Sequence, residues 1–423
     1  MCGPVGAIVD AYSTGKYLPQ AFRARGISCV HVQSRSEVPT RFRKDFDAAS
    51  FDDNYVHTGS VSETAEWLSA RGARFVVPGT EIAVELADEL SEQLRLPNSN
   101  GTARSRWRRD KGLMAQALLS SGLRAPVYYR ATNASAASQW AAHRNIWPVV
   151  VKPVDSAGSD NVIFCGGSDE VNDTAGKILG SLNRMGRINN EILVQEYLRG
   201  DQYYVNSVSV RGKHYIAEIW SDLTCRINGA GVVSDREDLL PRYGFPQDVI
   251  VSYLRDVLDC LGIRWGPAHS ELMMTENGPI LIETAARPVG TILPGAVSAA
   301  TGDNHVTLTA DCYADPEEFE KRVDSPYELS HHLMMISLIC RKSGLVQDAT
   351  GLSLLQELPS YWGILSKIEP GARIFRTVDI STSPGHVYLM HRSREQIMRD
   401  YAKVRDWEFT DRLYHVRPEF IDC

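Results

Sequence analysis

Over the first hundred residues short apolar runs alternate with amphipathic stretches, the pattern of βα units around a parallel sheet. Val5 to Val9 predicts a strand, Ser13-Thr14-Gly15 a turn and helix cap, Lys16 to Arg25 a helix, and Ile27 to Val32 a second strand. Phe75-Val76-Val77 restarts the pattern, Pro78-Gly79-Thr80 breaks it, and Glu81 to Leu94 carries apolar residues at helical spacing. The N-terminal region therefore reads as an open α/β domain. Gly15-Lys16 does not make it a Walker-type phosphate loop, because Asp10 stands where that motif needs Gly and Tyr17 where it needs Ser or Thr.

From Leu96 to Arg109 turn formers give way to arginines, which marks a boundary, and Asp110 to Ser120 predicts a helix. Arg104, Arg106, Arg108, Arg109 and Lys111 read, taken alone, as a solvated basic face. At Pro148 to Pro153 the texture changes to a buried-strand run containing Lys152, followed at once by the small-residue stretch 154–161. Such a loop can bend backbone N–H groups around phosphate oxygens while the lysine supplies a point charge. A plain turn with a snorkelling lysine is the alternative. Ile192 to Leu198 predicts another strand, running through Arg199-Gly200-Asp201 into an alternating stretch at Tyr203, Val205, Ser207 and Ser209. A bare hairpin and a hinge whose backbone reads an adenine edge fit it equally.

The strongest chemistry lies at Gly266 to Arg287. Thr275-Glu276-Asn277-Gly278 is a hairpin turn, and Glu271 and Glu283 stand symmetrically about Asn277, so both are expected on one face. Two adjacent carboxylates repel unless a cation bridges them, and oxygen ligands suit Mg²⁺, which keeps waters and phosphate oxygens as further ligands. Arg287 adds a fixed cationic fork. Solvent-facing glutamates on a two-stranded ribbon are the alternative, and His269 reads equally as structural or substrate-contacting.

Composition narrows the partners. The chain has 423 residues with 45 basic against 52 acidic side chains, a net charge of −7, which argues against a nucleic-acid partner. Its length suggests several domains. The 8 cysteines include no CxxC pair and no histidine grouping at zinc spacing, and read as reduced thiols. The N-terminus lacks a secretory pattern, and the longest apolar block, Leu333 to Cys340, is far short of the ~20 residues that span a bilayer. A cytoplasmic protein without a membrane partner is expected.

A lysine strand with a small-residue loop, a hinge-like segment, and a paired-carboxylate hairpin ending in arginine follow one another in that order. This order resembles the ATP-grasp superfamily of carboxylate–amine ligases over about residues 1 to 310. Ala268-His269-Ser270-Glu271, with Glu283-x-x-x-Arg287 and a C-terminal extension, is most similar to the bacterial L-amino acid ligases, which make dipeptides. The resemblance implies an α/β fold (an α+β clamp). Its parts would be an open parallel α/β domain at 1–110, a lid subdomain at 111–195, a catalytic antiparallel sheet at 196–310 and a packing extension at 311–423.

The resemblance also implies roles. Lys111 and Lys152 match the lysines that hold nucleotide phosphates, Ser156, Ala157, Gly158 and Ser159 the phosphate lid, and Gln195, Glu196, Tyr197 and Leu198 the adenine hinge. Glu271 and Glu283 match the ligands of one or two Mg²⁺ ions, with Mn²⁺ as a substitute. Arg287 matches the arginine at the reacting phosphoryl group, and His269 a residue near a substrate carboxylate. Three departures stand out. Ala285 replaces the usual amide ligand, Gln202 replaces the ribose-binding glutamate beside Asp201, and Val289-Gly290 replaces a glycine pair. Substrate loops are expected near Trp220, Arg226 and Thr291 to Gly295.

The implied reaction is ATP-dependent amide formation between an amino acid or related carboxylic acid and an amino acid amine, through an acyl phosphate, in specialised metabolite biosynthesis. A bicarbonate-using carboxylase and a non-catalytic ATP-binding scaffold are the alternatives. A homodimer is a common assembly for such enzymes.

Overall fold

A computed structural model describes residues 3–39, 42–43, 45–156, 158–226 and 232–418. Ala157 and the side chain of Arg226 fall outside the described residues.

The two-sided apolar strands of the N-terminal region build a parallel sheet from β1 (Val5–Val9), β2 (Ser28–Gln33), β3 (Asp53–Val56) and β4 (Ala73–Pro78). Their order is β3-β2-β1-β4. Ile8 and Val77 pack with Leu18 and Phe22 on one face, and Ala7, Val9 and Val76 with Leu68 and Leu90 on the other. The order reverses direction at β1, which places a topological switch point between the carboxyl ends of β1 and β4. The chain after β4 crosses there so closely that a Cβ on Gly79 would lie 2.5 Å from the Asp10 carbonyl oxygen.

A second, antiparallel sheet contains β5 (Tyr128–Ala131), β6 (Val149–Pro153), β7 (Ile163–Cys165) and β8 (Ile192–Glu196), in the order β5-β8-β6-β7. The helices Ala134–Arg144 and Ser168–Ile178 cover it through Ala137, Ala141, Val171 and Ala175.

The third sheet begins with β9 (Asp201–Val210), β10 (Lys213–Arg226), β11 (Val232–Leu239), β12 (Gly266–Thr275) and β13 (Gly278–Ala285). The last hundred residues add β14 (His332–Ser337), β15 (Gly344–Asp348), β16 (Tyr361–Ser366), β17 (Arg373–Ile374), β18 (Gly385–His391) and β19 (His415–Pro418). β14, β18 and β16 extend the third sheet, whose order is β13-β12-β9-β10-β11-β14-β18-β16. β15, β17 and β19 form a small sheet over a separate core that includes Met334, Leu355, Ile397 and Val404. Among the described residues no helix is long and apolar enough to cross a membrane.

Two expectations meet a different structure. β8 bonds to β5 and β6, whereas β9 bonds to β10 and β12, so the two are not a hairpin but the passage between two sheets. Gly200 makes that passage possible: at φ 152° a Cβ would sit 2.0 Å from the Met274 carbonyl oxygen. The helix Lys111–Ser120 buries Met114, Ala117 and Leu118 beneath the third sheet, in one core with Ile250 and Leu254, rather than on the second sheet.

Candidate active site

Alternation along the third sheet separates an apolar face from a polar one. Val205, Ile219, Ala268 and Leu272 pack with Ile250, Val251, Leu254 and Leu258 of the helix Gln247–Cys260. The opposite face carries, in register across β12, β9 and β10, His269, Asn206 and Glu218, then Glu271, Tyr204 and Trp220, then Met273, Gln202 and Asp222.

The turn at Glu276-Asn277 sets Thr275 opposite Gly278 and Leu272 opposite Leu281. Continued unbroken, that register would put Ile282 opposite Glu271 and turn Glu283 to the apolar side. A bulge between Glu271 and Leu272 takes up Ile282 and brings Glu283 opposite Glu271. The carboxylates share a face as expected, through a bulge rather than a longer turn.

Two lysines border the pair, Lys152 buried and Lys111 half-buried. Lys111 Nζ lies 2.6 Å from Glu283 Oε2 and donates to the Ser156 carbonyl oxygen at 2.7 Å. Burial disfavours its charge, but Glu283 and then Glu81 hold its pKa above the ordinary value. Lys152 is 4% exposed, and among the described residues its ammonium makes no hydrogen bond or ion pair. Burial and then the charge of Lys111 push its pKa down to about 8, against the pull of Glu283 and Glu271. Burial alone would raise the Glu271 carboxyl, but His269, then Lys111 and Arg287, hold it below its usual range. A buried ammonium with no bonded counter-ion, such as that of Lys152, is stabilised by an incoming anion.

The loop after β6 curls through left-handed backbone at Gly158, Ser159 and Asn161, with φ of 70°, 57° and 52°. Ser156 Oγ donates to Asp160 Oδ2 at 2.7 Å, and the Lys111 N–H donates to the Val154 carbonyl at 3.0 Å. Gln195 pairs with Val150, two residues before Lys152 on the neighbouring strand. Glu196 Oε1 accepts the Val127 N–H at 2.7 Å, and the Tyr197 ring meets Phe164 edge-on, with centroids 5.5 Å apart. With Leu198 these residues line the passage from β8 to β9, and Gln202 stands just beyond it in the row of Asp222.

A second charge cluster went unnoticed in the sequence. Glu81 lies at the switch point, where it accepts from Arg287 Nε at 2.8 Å and from Arg109. Arg109 also donates to Asp155 Oδ1 at 2.5 Å. Burial pushes the Glu81 carboxyl up, yet Arg109, Arg287 and Lys111 together bring it down to about 2. Arg108 is fully buried on Asp88 at 2.7 Å. The expectation of a solvated basic face is therefore corrected: Arg108 and Arg109 are buried, Lys111 is half-buried, and only Arg104 and Arg106 of that run are exposed. Their partners sit on other elements, which a local charge count cannot include. The Pro78-Gly79-Thr80 break did locate the strand end that presents Glu81.

A polar relay fixes His269. Asn206 Nδ2 donates to Glu218 Oε2 at 2.8 Å, so Asn206 Oδ1 accepts from His269 Nδ1 at 2.8 Å. His269 Nε2 is left facing Glu271 Oε1 at 3.5 Å. Glu218 accepts further from Trp220 Nε1 at 2.9 Å and the His305 N–H at 3.1 Å. His305 accepts the Val289 N–H at 3.2 Å and donates to the Ser207 carbonyl at 3.0 Å, which steadies the turn after Arg287. The relay was missed, although the alternate polar positions Gln202, Tyr204 and Asn206 of β9 were its signal.

The donor set suits a hard cation. Among the described residues no group of three or more His, Cys, Asp and Glu side chains forms a complete metal cage. Two carboxylates in register, with Ala285 offering no donor, match an ion that takes its other ligands from phosphate and water. They do not match a closed zinc site.

Comparison with known proteins follows the same lines. The ATP-grasp domain family matches residues 146–294. The chain is 31% identical to dapdiamide A synthase of Enterobacter agglomerans over 416 residues, covering 97% of this chain and 96% of that one. Its fold is similar to the crystal structure of L-amino acid ligase from Bacillus licheniformis, with a TM-score of 0.76 at 18% identity over 99% of this chain and 100% of that chain. It is also similar to the biotin carboxylase domain of Hydrogenobacter thermophilus 2-oxoglutarate carboxylase, solved with MgADP, ADP and bicarbonate. That match has a TM-score of 0.64 at 14% identity and covers 99% of this chain and 91% of that one.

Proposed function

We propose a reaction from the premise that the chain belongs to the ATP-grasp ligases and forms amide bonds at the expense of ATP, releasing ADP. The carboxylate donor is an amino acid or a related carboxylic acid, and the acceptor is the amine of an amino acid. The relative's name, dapdiamide A synthase, supports a product of the amide-linked, specialised-metabolite kind. The in-register pair Glu271 and Glu283, bordered by Lys111 and Lys152, is the observation that carries the reading.

In this reading Lys152 and Lys111 bind the phosphates, and the loop 154–161 folds over them. Residues 195–198 read the adenine, and Gln202 the ribose. Glu271 and Glu283 would hold Mg²⁺, for which Mn²⁺ is a substitute. Its ions, one or two, neutralise phosphate charge when bound. Arg287, oriented by Glu81, faces the oxygens among which charge redistributes as the γ-phosphoryl group passes to the carboxylate. The amine then attacks the acyl phosphate and expels phosphate. His269, held by Asn206, positions a substrate carboxylate, and the loop keeps water from the intermediate. No side chain serves as a covalent nucleophile.

The test is phosphate release with ATP and Mg²⁺ across paired amino acids, with mass spectrometry of every responding mixture. The reading predicts a condensed product that appears only when both partners are present. ATP turnover driven by bicarbonate and indifferent to amino acids would replace it with a carboxylase, and ATP binding without ADP formation with a scaffold. The reading extends to a cytoplasmic homodimer, which sedimentation would show as twice the 47.0 kDa chain mass.

A further inference from the structure

Between Leu179 and Ile192 the lid subdomain sends out a short excursion, pinned by a bridge between Leu182 and Ile188. Asn183, 6% exposed, shapes it: its Oδ1 accepts the Met185 and Arg187 N–H groups, and its Nδ2 donates to the Asp155 carbonyl at 2.7 Å. Two arginines leave the excursion in opposite directions. Arg187 reaches Asp155 Oδ2 at 2.5 Å and Glu85 Oε2, on the N-terminal domain, at 2.7 Å. Arg184 reaches the far end of the same loop and the C-terminal extension together.

Its Nη1 donates to the Gly158 carbonyl at 2.9 Å and to Ser381 Oγ at 3.0 Å, and its Nη2 pairs with Asp379 Oδ2 at 2.5 Å. Its backbone N–H donates to Asp160 Oδ2 at 2.9 Å, and its Nε lies 3.6 Å from Asp160 Oδ1. Asp379 is itself fixed, because its Oδ1 accepts the Thr382 N–H and hydroxyl. That turn is anchored to the extension's core: the Thr377 N–H donates to the Cys340 carbonyl, and Thr377 Oγ1 accepts the Cys340 N–H, both at 2.8 Å. Lys367 Nζ donates to the Ser381 and Ser383 carbonyls.

One planar guanidinium therefore spans a loop carbonyl and a buried carboxylate of the extension, a bidentate use that an ammonium cannot reproduce. We propose that Arg184 and Asp379 form a latch through which the C-terminal extension holds the phosphate loop closed during the reaction, making both positioning residues for amide formation. The inference rests on the reading of 154–161 as the phosphate lid. Release of the latch lets the loop open while the acyl phosphate is present, and water then competes with the amine.

The test compares wild type with Asp379→Asn, which keeps the side chain's shape and removes its charge, and with Arg184→Lys, Arg184→Ala and the double variant Arg184→Ala/Asp379→Asn. Hydrogen exchange of peptides covering 154–162, with Mg²⁺ and a non-hydrolysable ATP analogue, reads the loop without needing the substrates. Exchange there should rise about fivefold in Asp379→Asn and in Arg184→Ala. It should rise no further in the double variant, and peptides covering 201–210 should not change. Arg184→Lys should restore part of the protection. With a productive pair of substrates, amide formed per ADP should fall by a similar factor. Unchanged exchange at 154–162 in Asp379→Asn, or additive effects in the double variant, would overturn the latch. Altered exchange in a protein that makes no amide from any pair would leave the latch standing and remove the ligase reading instead.

Discussion

The hairpin that carries Glu271 and Glu283 and the cluster centred on Glu81 differ in how their charges are brought together. In the hairpin the two carboxylates are close in sequence, and one turn with one bulge sets them face to face. At Glu81 the partners, Arg109 and Arg287, come from different regions of the chain and meet only because the sheet's switch point faces the end of β13. Local geometry gives the first a repulsion that a cation relieves. Tertiary packing gives the second a charge pairing that is already complete. In the proposed reading the hairpin serves ligand chemistry, and the Glu81 cluster holds Arg287 in place and ties the parallel sheet to the end of β13.

If that contrast holds, substitutions in the two regions fail in different ways. Glu283→Gln should have the largest effect, lowering amide formation by about a thousandfold or more with the melting temperature unchanged, because the proposed metal ligand is lost at constant volume. Steady-state product analysis beside a thermal melt checks it, and retained turnover at saturating Mg²⁺ would break the comparison from the catalytic side. Glu81→Gln should instead destabilise the fold by about 3 kcal/mol in urea titration, since it leaves half-buried Arg287 without its counter-charge and buried Arg109 with Asp155 alone.

Glu81 also predicts a pH signature. Its folded pKa of about 2 lies below the ordinary 4.5, so its contribution is present above pH 4.5 and is lost as pH falls toward about 2. The stability difference between wild type and Glu81→Gln should narrow across that window. A constant difference would mean that the pairing is not what stabilises the cluster.

Lys152→Ala should raise the ATP dissociation constant about tenfold in calorimetry, because it removes a buried ammonium that has no bonded counter-ion in the free protein. An unchanged constant would take Lys152 out of the phosphate site. Smallest of all, Lys16→Ala should leave ATP affinity unchanged and alter stability by no more than about 0.5 kcal/mol. Lys16 sits in a half-buried pair with Asp45 at 2.8 Å, in the 3-10 helical turn Ser13–Tyr17 whose sequence fails the Walker pattern. Weakened ATP binding in that variant would mean that the N-terminal domain holds nucleotide after all.

The same contrast explains what could be read from the chain. The strands at Val5–Val9, Ser28–Gln33 and Ala73–Pro78 follow from apolar periodicity, and the face shared by Glu271 and Glu283 from the turn between them, whereas β3 and the helix Val61–Ala70, with few large apolar residues, were not legible. The bulge at Ile282 was not legible, because register depends on packing across the sheet rather than on the turn alone. Arg108 and Arg109 looked solvent-facing because Asp88 and Glu81 lie on other elements. Asn206 was hidden for a related reason: its role appears only when β12 supplies His269 on one side and β10 supplies Glu218 on the other. The separation of β8 from β9 required knowing that Gly200 passes against the Met274 backbone.

The most direct measurement of the central claim uses a donor whose carboxylate carries a heavy oxygen isotope, incubated with ATP, Mg²⁺ and the acceptor amine. An acyl-phosphate route predicts that each amide formed is matched by one phosphate carrying a labelled oxygen from the donor. Amide accompanied only by unlabelled phosphate would contradict it.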